Sequence, residues 1–204
     1  MLISFEGLDF SGKTTQIKLL VDRLKSAGHD TVLVREPGGT PISEKIRNIL
    51  LDNKNKEMTQ IAELFLFSAA RNQLVNQVIL PSMKDGKIVI CDRFYDSTTA
   101  YQGYGRGINI EAITKINEIA TMRTKPDLTF FIDIPINEIT KRRLSANTSI
   151  IDRMESSGEK FYEKVRNGYL EIAKNEPERF FVINGLQDVN TIHDTIWKII
   201  SKNL

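Results

Sequence analysis

Residues 7–14 read GLDFSGKT, and the segments on either side decide what that octet is. Upstream lies a short apolar run, Ile3–Glu6; downstream, Lys13–Ala27 puts Ile17, Leu20, Val21 and Leu24 on one helical face. A strand, a loop of pattern G-x-x-x-x-G-K-[ST] and a helix together make a phosphate-binding loop. Gly7 and Gly12 permit a tight turn whose backbone N–H groups point at phosphate oxygens, and the helix adds its positive N-terminal end. Lys13 is placed to reach the β- and γ-phosphates, and Thr14 to offer its hydroxyl to Mg²⁺.

Outward from that loop the same rhythm repeats. Thr31–Arg35, Ile88–Asp92, Leu128–Asp133 and Phe180–Asn184 have strand composition. Ile61–Leu80, Ile110–Thr121, Phe161–Lys174 and Thr191–Lys202 carry apolar residues at helical spacing. Alternating strands and helices predict a three-layer α/β fold of the P-loop NTPase type, with a central parallel sheet of about five strands flanked by helices. Right-handed crossovers put the C-terminal ends of all strands on one edge, where such sheets bind ligands. Charge interrupts the strands at those ends: Glu6, Arg35–Glu36, Asp92–Arg93 and Asp133.

The whole 204-residue chain reads as one domain, with a polar, turn-rich lid around 142–158. Its formal net charge of +2 gives no argument for a nucleic-acid or membrane partner. The single cysteine, Cys91, sits in an apolar run and suits a reducing cytoplasmic setting. The two histidines show no metal-ligand spacing.

The stretch 88-IVICDRFYDSTTAYQGYGRG-107 begins as a buried strand and then reads as a loop. From residue types alone, Asp92–Arg93 is either a structural ion pair or a ligand site, and Phe67 with Arg71, four residues apart, is either core plus surface or a base-stacking pair. A phosphate loop by itself fits a switch ATPase as well as a kinase. The guanine-reading N-K-x-D is absent.

Four segments resemble the thymidylate kinase family: FEGLDFSGKTTQ at 5–16, REPGGT at 35–40 with EKIR at 44–47, ELFLFSAAR at 63–71, and DRFYDSTTAYQG at 92–103; DRME at 152–155 adds weaker support. The resemblance implies transfer of the ATP γ-phosphoryl group to dTMP, giving dTDP and ADP in dTTP synthesis, with Mg²⁺, in a cytoplasmic homodimer. It implies ATP contacts from Gly7, Leu8, Asp9, Phe10, Ser11, Gly12, Lys13, Thr14, Thr15 and Arg142, and metal support from Thr14, Asp92 and Asp9. Phe67 is expected to stack on thymine and Arg71 to donate to its O4, with Gln102 on the N3 edge. Asp9, Glu36, Pro37, Arg47, Arg93, Ser97 and Tyr101 complete the acceptor contacts, Arg47 and Arg93 on phosphate.

The chain departs from the family at the cation that completes the reaction centre. Phe10 follows the loop acid where an arginine is common, and Leu144–Ile151 contain neither Lys nor Arg. Arg143 or Arg153 is therefore expected to join Lys13 and Arg93 in catalysis. Arg142 or Arg143, at a helix end, is a candidate to stack on adenine. Another kinase of small phosphate acceptors is the nearest rival reading.

Overall fold

The structure, a computed structural model, describes residues 1–145, 153–154 and 158–204. Five strands form one sheet: β1 (Leu2–Glu6), β2 (Thr31–Arg35), β3 (Ile88–Asp92), β4 (Leu128–Asp133) and β5 (Phe180–Asn184). They run parallel in the order β2-β3-β1-β4-β5, so β1, which feeds the phosphate loop, is central. Four strands have the bounds expected from sequence, and β1 begins one residue earlier.

Side-chain alternation divides β1, β3, β4 and β5 between two cores, while β2 gives Val34 to one of them and leaves Leu33 exposed. Ile3, Phe5, Ile88, Ile90, Phe130 and Ile132 pack with Ile17, Leu20 and Leu24 of α1 (Lys13–Ser26) and Ile192, Ile196 and Ile200 of α9 (Val189–Ile200). On the opposite face, Leu2, Val89 and Cys91 meet Leu74 of α3 (Gln60–Leu74) and residues of the π turn Val75–Ile79 that continues it. Phe131 and Phe180 pack there on Val165 and Tyr169 of α8 (Glu159–Asn175). Local signals set several helix starts. Thr40 accepts from the Ser43 amide at the head of α2 (Pro41–Leu51), with Pro41 in its first turn, and Thr59 caps α3 likewise.

Two expectations need correction. The helix expected over 61–80 is interrupted by the π turn and resumes as α4 (Leu80–Lys84), where Pro81 has no N–H to continue a regular ladder. The expected loop after Arg93 is helical instead: α5 (Tyr95–Thr98) runs straight into a π turn, Thr99–Gly105. Tertiary packing explains this. A Cβ at Gly105 would lie 2.7 Å from Phe161 and 2.9 Å from Val165 of α8, so only glycine lets the turn lie against that helix. Two further helices, α6 (Ile110–Ala120) and α7 (Ile136–Ser145), complete the described elements. Of the expected lid, residues 146–152 and 155–157 lie outside the described residues.

Candidate active site

The charged strand ends converge on one edge. After β1 the chain turns sharply at Gly7 (φ 144°), where a Cβ would stand 2.8 Å from the Ile132 carbonyl oxygen. The loop then wraps Lys13, whose ammonium donates to the carbonyls of Gly7 (2.9 Å) and Leu8 (3.1 Å). Burial, then the nearby Arg93 cation, lower the Lys13 pKa to about 8 against the pull of Asp9 and Asp92. An anionic ligand offsets that cost of burying an ammonium. Gly12, at the head of α1, offers no side-chain cap, so the first-turn N–H groups are free of side-chain acceptors.

Arg93 is the pivot. Its backbone is left-handed, φ 71°, which is uncommon for a residue with a side chain and is found at functional sites. Its N–H donates to the Phe5 carbonyl at 2.9 Å. The guanidinium then reaches back across the sheet edge to pair with Asp9 at 2.8 Å and sits 5.3 Å over the Tyr101 ring. Glu6 lies beneath, fully buried. It accepts from the Phe94 amide (2.8 Å), the Ser97 hydroxyl (2.6 Å) and the Tyr169 hydroxyl (3.0 Å). Burial, reinforced by Asp96, raises the Glu6 pKa. Asp9 shifts the other way: burial pushes its carboxyl up, but Arg93 and then Lys13 outweigh it and hold the pKa below the usual aspartate value.

Two cavities adjoin at this pivot. One, of about 1050 Å³, is lined by Asp9, Phe10, Ser11, Gly12, Lys13, Thr14, Arg35, Asp92 and Arg142. The other, of about 620 Å³, is lined by Pro37, Phe67, Arg71, Ser97, Tyr101 and Gln102 among others. Asp9, Glu36, Arg47 and Arg93 line both. The second cavity thus gathers all ten residues expected to contact the acceptor. The first gathers six of the loop positions with Arg142; Gly7, Leu8 and Thr15 do not line it, and Leu8 is in the core instead.

The walls of the smaller cavity are held by long-range pairs. Arg71, buried, donates to Glu36 (2.7 Å), Asn117 (3.3 Å) and the Phe94 carbonyl (3.3 Å). Burial pushes Glu36 up to about 7 although Arg71 opposes it, and its Oε1 is buried without a partner among the described residues. Unmet polar atoms in a cavity wall mark a place where a ligand completes the hydrogen bonding. Arg47 donates to the Pro37 carbonyl at 2.9 Å, across the cis Glu36–Pro37 turn.

A family model described as thymidylate kinase matches residues 5–196. The chain belongs to the thymidylate kinase family. Among similar proteins, the thymidylate kinase of Pelodictyon phaeoclathratiforme is 49% identical, covering 99% of this chain and 96% of that protein. That of Chlorobium phaeobacteroides is 47% identical, covering 99% and 95%. A crystal structure of thymidylate kinase from Ehrlichia chaffeensis superposes with a TM-score of 0.79 at 40% identity, covering 98% of both chains.

The three arginines expected around the family's lid take different places. Arg142 sits over the phosphate loop, its guanidinium directed at the carbonyls of Phe10 (3.3 Å) and Gly185 (3.1 Å) and paired with Glu138 (3.1 Å). Arg143 lines a separate cleft with Asp9, Phe10 and Tyr162. Arg153 is buried and paired with Glu63 at 2.7 Å, its Nε on the Leu50 carbonyl. Glu6 and Glu63 lie inside the segments that carry the resemblance, which gives them no role, and Asn117 and Tyr169 lie in no motif.

In an Arg93→Gln variant the Asp9 carboxyl loses its main cation while burial, Lys13 and Arg47 remain, so its pKa rises relative to the unmodified protein. A carboxyl ¹³C titration of both proteins reads this directly; no rise on removing Arg93 would contradict the assigned cause.

Proposed function

We infer that the protein transfers the γ-phosphoryl group of ATP to dTMP, giving dTDP and ADP. The observation that carries the reading is the seam of Asp9, Glu36, Arg47 and Arg93 between a phosphate-loop cavity and a second cavity lined by Phe67, Arg71 and Gln102. A switch ATPase has no use for that second cavity.

Each substrate end has matching chemistry. The loop amides and Lys13 take the triphosphate, with Arg142 beside the adenosine end. Phe67 offers a ring to a base, and Arg71 retains N–H groups beyond its three bonds for a carbonyl. Tyr101, packed beneath Arg93, limits the room beside the sugar. Arg47 and Arg93 face the seam as phosphate-binding cations. The acceptor phosphate is already ionised, so no strong general base is required. The chain's task is in-line placement and neutralisation of charge spread over the transferring group.

The donor set fits a hard cation held largely by phosphate: the Thr14 hydroxyl, Asp92 and Asp9 line the same cavity as Lys13. Mg²⁺ bound there would neutralise charge between the β- and γ-phosphates.

The same proposal extends to assembly and setting. Ile42 and Ile49 on α2, Ile61 and Phe65 on α3, and Ile119 on α6 are large apolar residues left exposed on adjoining helices, which supports a homodimer. A single domain with a lid around 142–158 and a cytoplasmic setting belong to it too. The sole cysteine, Cys91, buried and free, supports the latter.

ADP release measured across dTMP, dUMP, dCMP, dAMP and dGMP tests the reading. dTMP is expected to give the highest kcat/KM, and a preference for dCMP or a purine would overturn it. For the last reaction-centre cation we propose Arg143, because Arg153 is already engaged with Glu63. Arg143→Ala is expected to lower kcat at least about a hundredfold, while Arg153→Ala lowers stability and leaves kcat within about tenfold. The reverse pattern in steady-state kinetics and urea unfolding would reassign the role.

A further inference from the structure

Glu63 does more than anchor helices. It sits in the first turn of α3 with 1% of its side chain exposed, and it gathers three donor residues from two distant places: Gln102 and Arg106 at the π turn Thr99–Gly105, and Arg153. Its Oε1 accepts from the Gln102 side-chain amide (2.9 Å) and from Arg106 Nε (3.2 Å). Its Oε2 accepts from Arg106 Nη2 (3.2 Å) and pairs with Arg153 Nη1 (2.7 Å). We propose that Glu63 is a positioning residue for base specificity: it dictates which end of the Gln102 amide faces the acceptor cavity. This deepens the thymidylate reading of that cavity and rests on it.

A carboxylate flanked by two guanidinium groups is ionised, and an ionised carboxylate has no hydrogen to give. Burial works to raise the Glu63 pKa, but bonds from Arg106 and Gln102 hold it below the ordinary value, in keeping with this. The end of the Gln102 amide that touches Glu63 is therefore its NH₂. The carbonyl end is left for the cavity that Gln102 lines, and it accepts from none of the described residues. A fixed acceptor at that point matches a base edge that carries an N–H, as N3 of thymine or uracil does. It opposes a base whose ring nitrogen carries a lone pair, as N3 of cytosine does. Turning Gln102 over to suit cytosine would break a bond to a charged group, a penalty of roughly tenfold to a hundredfold in binding. Without Glu63, either amide orientation is open and the ligand selects between them.

The test compares dTMP with 5-methyl-dCMP, which differ only at N3 and C4 of the base. In Glu63→Gln, the two contacts at Oε2 from Arg106 and Arg153 draw the new carbonyl oxygen to that side. The new NH₂ then faces Gln102 and favours its inverted orientation. The ratio of kcat/KM for dTMP over 5-methyl-dCMP is expected to fall about tenfold or more. Arg106→Gln, which keeps the carboxylate and its bond to Gln102, is expected to weaken the fold while leaving the ratio within about twofold of the unmodified protein. If Glu63→Gln alone does not fold, the pair Glu63→Gln/Arg106→Gln, which removes one anion together with one cation, carries the same expectation. A ratio unchanged within about twofold in the Glu63 variants, with both acceptors slowed equally, would overturn the proposal and leave Glu63 a structural anchor. An unmodified protein that does not favour dTMP over 5-methyl-dCMP would overturn the thymine reading itself.

Discussion

Arg93 leaves the sheet in a left-handed backbone conformation, and the rest of the site is arranged around that fact. Such a conformation costs on the order of 1–3 kcal/mol for a residue with a side chain. It is held by what surrounds it: the Arg93 amide on the Phe5 carbonyl, and the next amide, Phe94, on the buried Glu6 carboxylate. The result is a guanidinium turned back over the sheet edge toward Asp9 of the phosphate loop. β1 supplies both the loop and the anchoring acid, β3 supplies the cation, and they are neighbours because the sheet order places them side by side. The fold therefore brings the phosphate loop and the Arg93 guanidinium to one seam.

Glu6, Lys13, Glu36 and Arg71, near that seam, are buried, and buried charges are poor evidence of stability. The opposed pKa shifts at the seam describe what its charges do instead. Asp9 stays ionised under Arg93 and Lys13, while Glu36 is lifted by burial despite Arg71. Lys13 is lowered first by burial and then by the Arg93 cation, against the pull of Asp9 and Asp92. An ammonium held out of water beside a guanidinium suits a site that receives phosphates, whose charge offsets both effects. Away from the seam, acids fix shape. Asp96 accepts from Arg179 at 2.8 Å on each carboxyl oxygen, and Asp133 binds Arg166 of α8 at 2.6 and 2.8 Å.

Much of this was legible in the sequence because the signals are local. Apolar runs such as Ile88–Asp92 end in charge where a strand surfaces, so β2 to β5 were bounded from residue type alone. Residues inside contiguous motifs, from Lys13 to Gln102, could be placed by the resemblance. What escaped is non-local. The segment after Arg93 is rich in Ser, Thr and Gly and reads as a loop, yet it is helical because Gly105 lets it pack against α8. Glu63 meets Gln102 across 39 positions, and Arg71 meets Asn117 across 46; neither spacing is a pattern that a chain displays. Arg153 stood out as a candidate beside phosphate, but residue type cannot reveal that Glu63 holds it elsewhere.

The central claim is that two nucleotides meet at the seam of Asp9, Glu36, Arg47 and Arg93 and exchange a phosphoryl group directly. Equilibrium titration with a bisubstrate analogue, adenosine and thymidine joined through five phosphates, tests it most directly. The account predicts binding at least about a hundredfold tighter than ATP or dTMP alone, because one chain spans both cavities, and predicts that Arg93→Ala removes most of that gain. An analogue that binds no more tightly than ATP, or whose advantage survives the loss of Arg93, would contradict it.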